Sequence, residues 1–273
     1  MILEEKSMQP PPPPYVSSQT NGVGNGPPPF PHCRPAMTLS TLPAHILLQI
    51  VHMTFPQTPG FDEGKLERQR KTLYWLSVGL RLVNRALYIA CMHVLRSTYL
   101  PAYDSLIRAP YSSDPFPLPT SPQSPFTSTN PADLRLGTIQ RETATLDLFI
   151  ALKVREDVWA DASELHLERD ESFKDLFDLA QPRSRLEDLV RVYGIREGVV
   201  SIDSIHPVRS LKPAPIPFSA LSVSFSPRKV GLLMGSAGKS KRTIIEADRT
   251  RDEQLEVTAK RLVRELAGWL DGR

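Results

Sequence analysis

Apolar positions recur at intervals of three and four along most of this chain and switch to strict alternation only after residue 198. Leu73, Leu76, Leu80, Val83, Leu87, Ala90 and Val94 form one such stripe, which predicts helical structure from 66 to about 99. Gly79 weakens the middle of that stretch, so a break into two helices is expected near 77–79. Ahead of it, Ile46, Leu47, Ile50 and Val51 share a stripe that predicts a helix within 39–55. Ser40 or Thr41 offers a cap, Pro43 suits a first turn, and Pro56 and Pro59 end the segment. A polar loop with Gly60 and Gly64 follows.

Helical spacing returns at 140–160, with Leu146, Phe149, Ile150 and Val154. A helix over 171–180 is expected to start at an Asp170 cap and to turn Phe173, Leu176 and Phe177 inward. A third, 183–193, opens at Pro182 and Ser184, carries Leu186, Leu189 and Val190, and stops at Gly194. Strands are then expected at 199–202, 220–225, 230–234 and 243–245, with a turn at Pro227, Arg228 and Lys229. The last segment, 250–270, places Leu255, Ala259, Leu262, Val263, Leu266 and Leu270 on one helical face. Short links between strands favour antiparallel pairing. The fold class is therefore α+β: an N-terminal helical part, then a part with helices, a small antiparallel sheet and a terminal helix.

Proline divides the chain. Of its 27 prolines, ten fall within 1–36 and eight within 101–131. Residues 1–38, with the run Pro10 to Pro14, have little to bury, so a disordered tail of polyproline II character is expected. Residues 101–139 are expected to be a Pro/Ser-rich linker, parts of which return to the helices through Tyr103, Tyr111, Phe116 and Phe126. That leaves a helical domain at 39–100 and an α+β domain at 140–273.

Charge and cysteine narrow the classes. A net charge of +3 is too small an excess to demand a nucleic-acid partner. Two cysteines, Cys33 and Cys91, cannot build a disulfide framework, and Cys91 sits in an apolar helical pattern that suits a small buried residue. Residues 1–36 begin with Glu4 and Glu5 and have no apolar core segment, so no signal peptide is expected. The most apolar stretch, 73–100, carries Arg81, Asn84, Arg85, His93 and Arg96, which argues against a membrane span. A soluble protein of the cytoplasm or nucleus is expected.

Gly235, Gly238, Lys239 and Ser240 invite comparison with a phosphate-binding loop. Such a loop needs a glycine where Leu233 stands and must feed a helix, whereas Lys241 and Arg242 lead into a strand pattern. Cys91 and His93, two apart on a helix, point to different sides, and no histidine pair has zinc-binding spacing. No serine lies in a nucleophile elbow. Glu164, Glu168, Asp170 and Glu171 form an acidic run in polar surroundings, with no sign of the burial that would shift a pKa. Nothing argues for catalysis, a cofactor or a metal, so a non-enzyme is expected. Arg228, Lys229, residues 239–242, Lys260, Arg261 and Arg264 could touch phosphate, but Glu253, Glu256 and Glu265 are interspersed.

Residues 42–95 resemble an F-box-like domain of the kind abundant in fungi. The resemblance is carried by Leu42-Pro43-Ala44-His45-Ile46-Leu47-Leu48-Gln49-Ile50, a Leu-Pro opening before an apolar helix, and by Leu80-Arg81-Leu82-Val83-Asn84-Arg85-Ala86-Leu87-Tyr88, a later helix with its Val-Asn-Arg before an aromatic. The interval at 56–75 is longer than is usual there, and Lys71-Thr72-Leu73 replaces an acidic-Leu start. The resemblance implies a helical domain docking the Skp-family adaptor protein of cullin–RING ubiquitin ligases, with the rest of the chain holding a protein substrate. It implies an adaptor surface of Leu42, Pro43, Ile46, Leu47 and Ile50, supported by Leu80, Val83 and Tyr88. Two alternatives stand beside it. Residues 42–51 can be simply the first core helix of a helical subdomain, or the chain can be a scaffold or weak nucleic-acid-binding protein using its basic C-terminal hairpin and helix.

Overall fold

The computed structural model describes residues 39, 42–61, 63–116, 140–159, 173–201, 215–235 and 240–272. Residues Leu42–Arg273 form one compact unit. It is an α+β structure whose helices are α1 (Ala44–Met53), α2 (Lys65–Val78), α3 (Arg85–Leu106), α4 (Arg141–Trp159), α5 (Gln181–Arg196) and α6 (Leu255–Asp271). Its strands are β1 (Val200–Ser201), β2 (Ile216–Pro217), β3 (Leu221–Phe225), β4 (Lys229–Met234) and β5 (Arg242–Asp248). Among the described residues, no helix is long and apolar enough to cross a membrane.

The helical break falls where glycine predicted it. α2 stops at Val78, Gly79 donates its N–H to the Trp75 carbonyl at 2.9 Å, and a 3-10 turn spans Leu80–Leu82. Asn84 then starts α3 by accepting the Leu87 N–H at 2.8 Å, which satisfies one of the free donors of a first turn. α1 has no such cap: extended Pro43 takes that position, and Ser40 and Thr41 lie outside the described residues.

Two helix ends differ from expectation. The segment from 101, expected to be linker, begins as helix: α3 runs through Pro101 to Leu106. Proline removes one hydrogen bond there. The continuation buries Tyr103 completely, and its ring packs on Phe149 and Phe177 at 5.6 and 5.3 Å. Aromatic burial outweighs the lost bond. In α5, Gly194 does not end the helix; it is buried inside it, and the chain turns at Gly198, where φ is 72°. Gly194 answers a different need. A Cβ there would sit 2.4 Å from Val200 Cγ2, so only glycine lets β1 return so closely along its own helix.

Phe173, Leu176 and Phe177 are buried as expected, but they enter α5 through a π-helical turn at Leu176–Ala180 rather than through a separate helix. The Asp170 cap lies outside the described residues. β3, β4 and β5 form an antiparallel meander in that order, with a register shift between Leu232 and Leu233. β1 and β2 form a separate two-residue parallel pair, Val200 beside Ile216. Nothing in the alternation pattern had marked β2.

Three apolar clusters hold the described residues together. One joins the sheet to α5 and α6, and it takes in all six residues of the predicted α6 face. The second joins α2, α3, α4 and the π turn around Phe149. The third joins α1, α2 and the start of α3 around Val51, Leu76 and Cys91, each fully buried.

Candidate functional site

α1 is ten residues long and carries no Lys, Arg, Asp or Glu. Its inward row is Leu47 and Val51, at 2% and 0% exposure. Its outward row is Ile46, Ile50 and Met53, at 39%, 38% and 76%. One helix thus supplies both a core stripe and an uncovered apolar row at four- and three-residue spacing.

The structure divides the eight residues predicted to bind a partner. Leu47 belongs to the core, and Leu42 and Leu80 are half-buried against the same cluster. Pro43, Ile46, Ile50, Val83 and Tyr88 are exposed. Met53, Trp75, Val78 and Ile89 of the first three helices, and Leu82 of the 3-10 turn between α2 and α3, are further exposed apolar side chains that sequence reasoning did not assign. Met53 was within reach of it, because it continues the row of Ile46 and Ile50 by one turn.

A second constellation was not foreseen. Asp188 of α5, at 2% exposure, accepts the backbone N–H of Arg141 at 3.0 Å and of Glu142 at 2.9 Å. It caps α4 from a different helix, satisfying donors that α4 cannot satisfy itself. Beside it, Glu187 accepts the Val223 N–H of β3 at 2.8 Å and pairs with the Arg141 guanidinium at 3.0 Å. Arg141 also donates to the carbonyls of Phe218 and Leu221 and lies 4.1 Å from the Phe218 ring centroid. Glu142, fully buried, accepts from the Gln181 amide at 2.9 Å and the Asp114 N–H at 3.2 Å.

Burial pushes the carboxyls of Glu142 and Asp188 above their usual range, against the pull of these donors and of neighbouring arginines. Raised carboxyls also occur in acid–base sites. Here the partners are backbone amides and structural side chains joining α4, α5 and β3. The arrangement is a buried ionic junction of the fold.

The remaining chemistry is sparse. An open cleft of about 400 Å³ at the start of α6 is lined by Asp248, Arg249, Thr250, Glu253, Gln254, Val257 and Arg261. Its two arginines are engaged. Arg249 donates to the Glu253 carbonyl at 2.6 Å, and Arg261 donates to the Asp248 carbonyl at 2.6 Å and pairs with the Glu253 carboxylate. Lys229 pairs with Glu246 at 3.5 Å, and the Lys260 ammonium lies 5.3 Å from the Tyr193 ring centroid. These contacts occupy three of the basic residues that a phosphate surface would use. The glycine-rich loop compared with a phosphate-binding loop feeds β5, a strand, and its residues 236–239 lie outside the described residues, as does the acidic run of Glu164, Glu168, Asp170 and Glu171. Among the described residues, no group of three or more His, Cys, Asp or Glu could hold a metal ion. Cys91 is buried, and burial raises its thiol pKa.

Compared with known proteins, the chain matches no family model, no curated protein and no solved structure.

Proposed function

We propose that this chain is a non-enzymatic, substrate-recruiting adaptor of a cullin–RING ubiquitin ligase, working in the cytoplasm or nucleus. In this reading α1 and the start of α3 dock the Skp-family adaptor protein, and residues 140–273 hold a protein substrate. One observation carries it: the outer row Ile46, Ile50 and Met53 is exposed on a helix without charge, while the inner row of the same helix is fully used by the core. Interface centres are depleted of charge, and an amphipathic helix laid into a groove presents such a row. Val83 and Tyr88, exposed around the start of α3, extend the apolar surface in the segment that carries the second half of the family resemblance.

The test is binding of the purified chain to the Skp-family adaptor of the same organism, with the double variant Ile46→Asp/Ile50→Asp beside it. Removing two partly exposed isoleucines from an interface and putting charge there is worth about 3 kcal/mol, roughly a hundredfold in Kd. The variant should lose that affinity and keep its thermal unfolding midpoint. Leu47→Asp is unsuitable, because Leu47 lies in the core. A folded wild type that does not bind the adaptor refutes the proposal.

A further inference from the structure

The turn between β3 and β4 reads Ser226-Pro227-Arg228-Lys229. Pro227, Arg228 and Lys229 are exposed, and Ser226 is half-buried at the tip of the hairpin. The Ser226 hydroxyl donates to the Lys229 carbonyl at 2.9 Å and accepts the Lys229 N–H at 3.0 Å, both at the solvent surface. The Ser226 N–H also donates to the Lys229 carbonyl, at 2.9 Å. The next pair inward, Phe225 with Val230, begins the ladder, and the Phe225 ring packs edge-on to Tyr111 at 5.8 Å. Beyond Phe225, Ser226 is held by these three bonds to Lys229, while Arg228 and Lys229 are tied to β5, the Arg249 N–H donating to the Arg228 carbonyl at 2.8 Å and Lys229 pairing with Asp248.

We propose that Ser226 is a phosphorylation site for a proline-directed, base-preferring protein kinase. The residue after the acceptor has no N–H, which suits a kinase groove that offers no acceptor at that point. Two and three residues on, Arg228 and Lys229 supply cations that an acidic subsite takes. Bonds at an element's exposed tip open locally at low free energy, so Ser226 can enter an active site once its bonds to Lys229 and the outermost β5 contacts of Arg228 and Lys229 open, while the ladder from Val230 inward stays paired. The Ser226 oxygen forms the new bond to the γ-phosphorus of ATP, the bond from that phosphorus to ADP breaks, and the hydroxyl proton is released. The product loses the hydroxyl's donation to the Lys229 carbonyl. It gains a near-dianion beside Arg228 and Lys229, where charge-assisted bonds to both replace it. Lys229 is drawn from Glu246, its present partner at 3.5 Å. This site is independent of the ligase-adaptor proposal.

The experiment incubates the folded full-length chain with ATP and a purified cyclin-dependent kinase–cyclin complex and maps phosphate by peptide mass spectrometry. The other Ser-Pro pairs, at Ser121 and Ser124, serve as comparison sites in the same digest. The expected result is close to one phosphate per chain on Ser226, reduced at least tenfold in Pro227→Ala and in Lys229→Ala. Both variants keep the serine hydroxyl and its turn bonds, and the wild-type melting temperature shows that they fold. Phosphate on Ser121 or Ser124 with Ser226 unmodified overturns the proposal. So does modification of Ser226 in a synthetic peptide of residues 220–233 but not in the folded chain, or modification that persists unchanged in Pro227→Ala.

Discussion

Replacing Asp188 by alanine tests whether the buried junction is structural. In the native chain its carboxylate accepts two backbone N–H groups of α4, from Arg141 and Glu142, and Glu142 is fully buried. Alanine leaves both donors without an acceptor in a place water does not reach. An unsatisfied buried donor costs about 1–3 kcal/mol, so two of them cost about 2–5 kcal/mol. Relief of the carboxylate's own desolvation offsets part of this, and about 3 kcal/mol is the expected loss. Asparagine keeps one acceptor oxygen and turns its amide toward the other N–H, so about half that loss is expected. The assay is urea unfolding, read as a shift in midpoint at constant slope. pH supplies a second signature. The folded carboxyl of Asp188 is raised by burial, so the native state holds its proton longer than the unfolded chain does. Its contribution to stability is complete below the ordinary carboxylate range and is lost as pH rises through the raised folded value. Asp188→Asn does not titrate, so its deficit against wild type should be largest in acid and shrink toward neutral pH. An alanine variant within about 0.5 kcal/mol of wild type, the usual scatter of surface changes, refutes the assignment of a structural cap.

Gly194→Ala pits two effects against each other: alanine gains about 1 kcal/mol of helix propensity, but its Cβ meets Val200 Cγ2 at 2.4 Å, well inside ordinary contact. Overpacking costs about 1–3 kcal/mol, so the melting temperature should fall and not rise. Leu47→Ala should cost about 2–5 kcal/mol by urea unfolding and Ile50→Ala less than about 1 kcal/mol, because one is enclosed in the core and the other faces water. Cys91, buried with its thiol pKa raised, should resist iodoacetamide in the folded chain and react once urea unfolds it, as followed by peptide mass spectrometry.

Much of the architecture was legible because it is periodic. The six apolar residues of α6 lie on one face at any register of packing, and all six are buried. The alternation at 221–225 and the turn after it locate a hairpin without reference to anything distant. Gly79 marks a helix break through its own backbone preference. The candidate docking surface was legible in part. The stripe of Ile46, Leu47, Ile50 and Val51 was read as one face, and neighbours on a helix are separated by about 100°, so a stripe four residues wide spans both a buried and an exposed side.

The sequence by itself determined where most of the helices and the strands of the meander lie, which faces are apolar and that the class is α+β. It did so because those properties depend on a residue and its near neighbours along the chain. Only the tertiary structure decided which half of the α1 stripe is core, why α3 continues through Pro101, and why Gly194 is glycine. Each of those answers lies in a group distant in sequence or folded back onto it: the cluster around Val51, the rings of Phe149 and Phe177, the methyl of Val200. The cap that Asp188 places on α4 bridges 46 and 47 residues of chain, a distance over which no local pattern pairs a carboxylate with an amide.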